Sequence, residues 1–237
     1  MKSVYHPSDS RGHANWGWLD TWHSFSFANY YNPERMQFGV LRVLNDDTVE
    51  GGRGFDTHPH ENMEIISIPL KGELEHRDSM GNIHVIGENE VQVMSAGTGI
   101  FHSEYNRNPD QLTNFLQIWV FPNQQNIKPR YDQQFFNPDE RINRFQQLVS
   151  PDPEGDGVWI HQDAWFSRIS LEKGKDAVYQ LHQSQNGLYL FILEGKIKAG
   201  DQTLQKRDGY GVWETDEVKL SSSSHTDILL LEIPMSL

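Results

Sequence analysis

Apolar residues along this chain fall in short bursts separated by Gly-, Asn- and Asp-rich breaks, a rhythm of strands and turns rather than of helices. The apolar, β-branched run over 38–44 predicts a strand that ends at a turn at Asn45-Asp46-Asp47. A strand over 63–70, a Lys71-Gly72 turn and a strand over 73–77 follow. A hairpin-like turn at 78–82 then leads to strands over 83–86, 91–94 and 115–121. The segment 122–138 is polar and broken by prolines, and predicts a linker crossing the surface. Over 139–148 (DERINRFQQL), Ile142, Phe145 and Leu148 recur at helical spacing and predict one short helix. Strands resume at 158–161, 165–170, 188–193, 211–213, 218–220 and 228–233.

The second half repeats the rhythm of the first. Residues 188–213 mirror 63–94: apolar strand, Glu-Gly turn, short strand, turn, and a glycine-bearing approach to another strand. An internal duplication explains this most economically. The expected fold is all-β, two tandem jelly-roll barrels with few short helices, one over 1–132 and one over 133–237.

Composition narrows the function. The chain has 237 residues, enough for two such domains, and 36% are hydrophobic, with seven Trp, eight Tyr and twelve Phe to fill two interiors. A formal net charge of −13 would repel a nucleic-acid backbone. The absence of Cys excludes disulfides and thiolate metal sites. No apolar run reaches the length of a membrane span, and Met1 to Pro7 lacks the apolar run of a signal peptide, so a soluble cytoplasmic protein is expected.

Two short motifs carry the chemistry, Thr57-His58-Pro59-His60 and Phe101-His102-Ser103-Glu104. Residues i and i+2 of a strand share a face, so His58 with His60, and His102 with Glu104, each present two ligand groups in one direction. On facing strands inside a barrel, three imidazoles and one carboxylate converge, a donor set for a divalent transition metal with positions left for substrate or dioxygen. Among eleven His, one H-x-H alone carries little; ordinary histidines sit on surfaces or in cores. The matched second pair carries the reading, together with Gly51, Gly52, Gly54 and Gly72 around the first and Gly87, Gly97 and Gly99 before the second. The second half lacks these groups: His161, His182 and His225 are isolated and read as surface or hydrogen-bonded residues.

The order glycine, H-x-H, acidic residue, glycine (Gly54, His58, His60, Glu64, Gly72), then G-x-x-H and asparagine (Gly99, His102, Asn106), is similar to the paired motifs of the cupin superfamily. More narrowly, RGHANWGWLDTWHSFSF (11–27), LRVLNDD (41–47), HPHENMEI (58–65), HRDSMGN (76–82) and MSAGTGIFHSEYN (94–106) resemble the pirin family of bicupins, particularly its bacterial quercetin 2,3-dioxygenase-like members. The resemblance implies one metal held by His58, His60, His102 and Glu104, with Fe(II) the first expectation and Zn, Ni, Cu, Co or Mn also compatible. It implies a flavonol such as quercetin and dioxygen as substrates, ring opening with release of CO, Glu104 as base, and a second barrel without metal. It also admits a different class of function, a non-enzymatic metal-binding regulator acting through a protein partner, although the sequence shows no obvious interaction surface. A zinc isomerase or hydrolase would need a basic phosphate-binding cluster, and none stands near the motifs.

Three further readings accompany the motifs. Glu64 shares nominal parity with His60 and either supports the ligands or is a salt-bridged strand glutamate. Gln117 and Trp119 share a face and line either cavity or core. Trp16, Trp18, Trp22, Phe25 and Phe27 form either a flavonoid-stacking surface or core.

Overall fold

The computed structural model describes residues 1–236, and in it each half pairs a seven-stranded sheet with a four-stranded one. In the first half the large sheet runs, in spatial order, Arg130–Phe135, Glu90–Ser95, Glu64–Lys71, Thr113–Val120, Leu41–Val49, Leu19–His23, Gly12–Asn15. Facing it lie Gly54–His60, Ile100–Asn106, Leu74–Asp78 and Ile83–Ile86. The second half repeats this order with Lys2–His6, Gly209–Trp213, Asn186–Glu194, Thr226–Pro234, Trp165–Leu171, Gln146–Ser150 and Val158–Trp159. Its small sheet is Asp176–Gln180, Glu217–Ser222, Lys196–Ala199 and Gln202–Gln205. The duplication read between 63–94 and 188–213 is this correspondence, strand for strand.

The large sheets are buried on both faces, which is why their strands read as nearly unbroken apolar runs. One face of the first sheet presents Leu44, Ile66, Ile68, Val93, Leu116 and Ile118 to Phe166, Tyr189, Phe191, Leu229 and Leu231 of the second, in a single apolar cluster. The opposite face of each sheet lines its own barrel. The halves are also laced together at their edges. The first strand of the chain, Lys2–His6, pairs with Gly209–Trp213 of the second barrel, and Arg130–Phe135 pairs with Glu90–Ser95 of the first. Position 132 therefore lies inside a strand. Each of these strands covers an edge that would otherwise expose unpaired backbone.

Three local expectations are corrected. The helix over 139–148 is a single 3-10 turn, Pro138–Arg141, followed by a strand, Gln146–Ser150. Asn143 takes a left-handed conformation (φ 54°) that ends any helix. Its three apolar residues then part: Ile142 is 47% exposed, Phe145 packs on the second barrel's core, and Leu148 enters the core between the barrels. Part of the expected linker is the strand Arg130–Phe135. Asn45, Asp46 and Asp47 form no turn but lie within Leu41–Val49, paired on both sides. Polar partners make that burial tolerable. Asp46 bridges Arg11 (3.4 Å) and Arg207 (2.9 Å), Asp47 accepts from the Thr21 hydroxyl, and the Asn45 carbonyl lies 2.9 Å from His23 Nδ1.

Candidate metal centre

The two motif strands are direct neighbours. Gly54–His60 pairs with Ile100–Asn106 so that His102 lies opposite His58, and Ile100 opposite His60. Pro59 is accommodated because Gly54–His60 is an edge strand, where a missing N–H costs little. The rings of His58, His60 and His102 converge, with centroids 4.5, 4.8 and 4.8 Å apart, and their ligand nitrogens lie within 4.8 Å of one another. A bulge between His102 and Glu104 shifts the register, and Glu104 falls in an overlapping group with His102 and His76, again within 4.8 Å.

The donor set suits a metal ion. His102 is 1% exposed, and neither of its ring nitrogens has a hydrogen-bond partner in the protein. An imidazole so placed needs an external partner, and a cation held by the three imidazoles would supply one. Burial, reinforced by the neighbouring imidazoles, pushes His102 down to about 2 and His60 down to about 4, so both rings are neutral at neutral pH and could ligate. His58 Nδ1 donates to the Asp56 carbonyl at 2.7 Å, which fixes the tautomer and leaves Nε2 free to ligate. The Glu104 carboxylate accepts from Ser67 Oγ (2.9 Å) on one oxygen and from Gln117 Nε2 (2.6 Å) on the other. Burial pushes its carboxyl up to about 7 against the opposing pull of those two hydrogen bonds.

Glu104 docks on a polar row crossing the floor of the barrel. Gln92, Ser67, Gln117, Asn45 and His23 are mutual cross-strand partners on five adjacent strands, all buried. One layer away Met94, Ile65, Trp119 and Val43 form an apolar row, with the Trp119 ring edge-on to His60 at 4.9 Å. Gln117 and Trp119 thus both face the cavity. Glu64 does not. Asn62 takes a left-handed conformation (φ 48°) between the two strands, so parity is not carried from His60 to Glu64. Glu64 faces the second barrel, bonded to Ser95 Oγ at 2.8 Å and 3.7 Å from His161 Nδ1.

His76, His23 and Asn45 were visible in the sequence only as parts of the quoted segments, and Ser67 and Gln92 carried no signal of chemistry. Their roles follow from register across strands distant in sequence. The early aromatics divide: Phe25 is core, Trp18 packs on Phe55, Trp22 stacks on His13, and Phe27 meets Trp119 edge-on at 5.2 Å.

In the second barrel, matching registers put Tyr179, Leu181, Val218 and Leu220 where the first holds His58, His60, His102 and Glu104. Tyr179, Val218 and Leu220 belong to that barrel's apolar core, and Leu181 packs against it. Its histidines lie apart: His182 Nδ1 is 2.8 Å from the buried Glu232 carboxylate, His161 borders Glu64, and His225 is exposed. Both candidate metal groups among the described residues are in the first barrel.

Residues 5–120 match the family model described as Pirin, and residues 147–233 match the quercetinase C-terminal cupin domain. The chain is 40% identical to a quercetin 2,3-dioxygenase of Escherichia coli K12 over 227 residues, 96% of each chain. It is 40% identical to a putative quercetin 2,3-dioxygenase of Pseudomonas aeruginosa, over 96% of this chain and 97% of the other. The crystal structure of the bacterial pirin YhhW of Escherichia coli in complex with nickel(II) superposes with a TM-score of 0.93 at 39% identity, covering 98% of this chain and 99% of that one. No helix among the described residues is long and apolar enough to cross a membrane.

Proposed function

This chain belongs to the pirin family, and from that premise we propose that it is a metal-dependent dioxygenase that opens flavonols such as quercetin with release of CO. The observation that carries the reading is the convergence of His58, His60 and His102, with both nitrogens of the buried His102 lacking a protein partner. These three imidazoles and Glu104 are the proposed ligands of one divalent ion. Iron is the metal the family resemblance suggests, nickel is the ion in the solved structure of a relative, and zinc, copper, cobalt and manganese also suit three nitrogens and an oxygen. When bound, such an ion supplies Lewis acidity that eases loss of the flavonol 3-hydroxyl proton. Glu104 accepts that proton, with Ser67 and Gln117 orienting its two oxygens. The apolar row of Met94, Ile65 and Trp119 excludes water and gives the planar substrate a wall to lie against.

The test is reconstitution of metal-stripped protein with each ion in turn, with metal content and quercetin-dependent dioxygen uptake both measured. The proposal expects uptake that tracks occupancy for at least one ion. Full occupancy with every ion and no uptake would reject the enzyme and leave a metalloprotein that acts through a protein partner.

A further inference from the structure

A cleft of about 400 Å³ opens on the first barrel, lined by His13, Asn15, Trp16, His23, Asn29 and Tyr30. Its size is in the usual range for small-molecule sites, and its aromatic surfaces are held in place. His13 is stacked on Trp22 (4.0 Å, 20°) and tied to Asp20 at 2.6 Å. Tyr30 lies over Gly12, where a Cβ would collide with its ring, and is nearly parallel to His23 at 6.4 Å. Trp16 is 50% exposed at the rim, a large apolar side chain with one side to solvent.

The inner end of the cleft is polar and fixed. His23 is 2% exposed and terminates the row of buried polar side chains on the barrel floor. Its Nδ1 lies 2.9 Å from the Asn45 side-chain oxygen, an acceptor, so Nδ1 carries the proton and Nε2 offers a lone pair. Burial first, then the nearby Arg11 and His13, lower its pKa, which keeps the ring neutral. A neutral acceptor behind aromatic walls matches one class of ligand, a planar aromatic carrying a hydroxyl donor. Two rings separate this cleft from the metal centre: His23 meets Phe27 at 5.4 Å, Phe27 meets Trp119 at 5.2 Å, and Trp119 meets His60 at 4.9 Å.

We propose that this cleft is a second binding site, for planar phenols, in which His23 Nε2 accepts the phenolic hydroxyl and Trp16 and Tyr30 flank the ring. It is distinct from the metal centre and does not require the ion. Occupancy would press on Phe27 and hence on Trp119, the wall against which the proposed substrate lies.

Equilibrium dialysis of metal-stripped protein with 7-hydroxyflavone and 7-methoxyflavone tests it, because only the first can donate to His23. The expected result is binding of the hydroxy compound at least about tenfold tighter than the methoxy compound, the effect of leaving a buried acceptor unpaired. His23→Ala should abolish that preference. Trp16→Ala, at an exposed position that folding does not depend on, should weaken both probes several-fold. His102→Ala should change neither. Equal affinity for the two probes in the parent protein, no binding of either, or binding lost in His102→Ala but kept in Trp16→Ala would each overturn the proposal.

Discussion

At the scale of single residues, the strictest demand is made by His102, buried with two unpartnered ring nitrogens. His58 and His60 are more exposed, and His58 already spends one nitrogen on a backbone carbonyl. On the proposed ligation, replacing any of the three by Ala should strip most of the metal while circular dichroism shows the fold retained, since the apolar cores are separate from the site. The two carboxylates should part company. Glu104→Gln should hold much of its metal and lose turnover, whereas Glu64→Gln, facing the other barrel, should change neither metal content nor uptake by more than about twofold. Loss of metal from the Glu64 variant would contradict the orientation described here.

Asp47 offers a pH test on metal-stripped protein, because the neighbouring Glu104 carboxylate is among the groups that raise it. Burial pushes the Asp47 carboxyl up to about 7 despite the Thr21 hydroxyl bond, while an unfolded chain titrates near 3.8. Between those values the folded form holds a proton that the unfolded form has released, so stability falls as pH rises through that window. Asp47→Asn removes the titration. The variant should be more stable than the parent above pH 7, by on the order of 1 to 4 kcal/mol, with the gain fading towards pH 4. Urea melts at several pH values would show it, and a gain independent of pH would refute it.

At the scale of elements, the alternation of side chains made the motifs readable, because H-x-H and H-x-E place two candidate ligands on one face whatever the strand's neighbours are. The polar row and His76 were unreadable for the opposite reason. Gln92, Ser67, Gln117, Asn45 and His23 become neighbours only through register between distant strands. Glu64 shows where parity itself fails, since one left-handed residue between two strands resets the face. The helix expected over 139–148 failed because tertiary pairing of Gln146–Ser150 outweighs weak local periodicity. Asp46 was read as part of a turn because its partners, Arg11 and Arg207, are remote in sequence. Removing it leaves two largely buried guanidiniums without a counter-charge, and Asp46→Ala should cost about 3 to 5 kcal/mol in chemical denaturation. The glycine before the first motif has a packing reason: a Cβ on Gly54 would collide with the Glu104 carbonyl oxygen. Gly54→Ala should push the two ligand strands apart and lower metal affinity, measurable by competition with a chelator.

At the scale of the whole molecule, the duplication was legible and the way its halves interlock was not. The second barrel takes its edge strand, Lys2–His6, from the other end of the chain, and the broadest core lies between the two large sheets, beside a second one inside the second barrel. Cutting the chain between 123 and 128 should therefore give fragments that stay associated in size-exclusion chromatography. The N-terminal piece alone should bind metal but aggregate, with its apolar sheet face bare and the Glu90–Ser95 edge uncovered. Soluble, independent fragments would contradict a shared core. The second barrel has Tyr179, Leu181, Val218 and Leu220 in place of the ligands, so it is proposed to serve as a structural partner that binds no ion.

The most direct measurement is the metal content of the purified chain after reconstitution, by elemental analysis, in parallel for the parent, His102→Ala and His182→Ala. The account predicts one ion per chain in the parent and in the His182 variant, and close to none in the His102 variant. Two ions per chain, or an undiminished ion in His102→Ala, would contradict a single centre built on His58, His60 and His102.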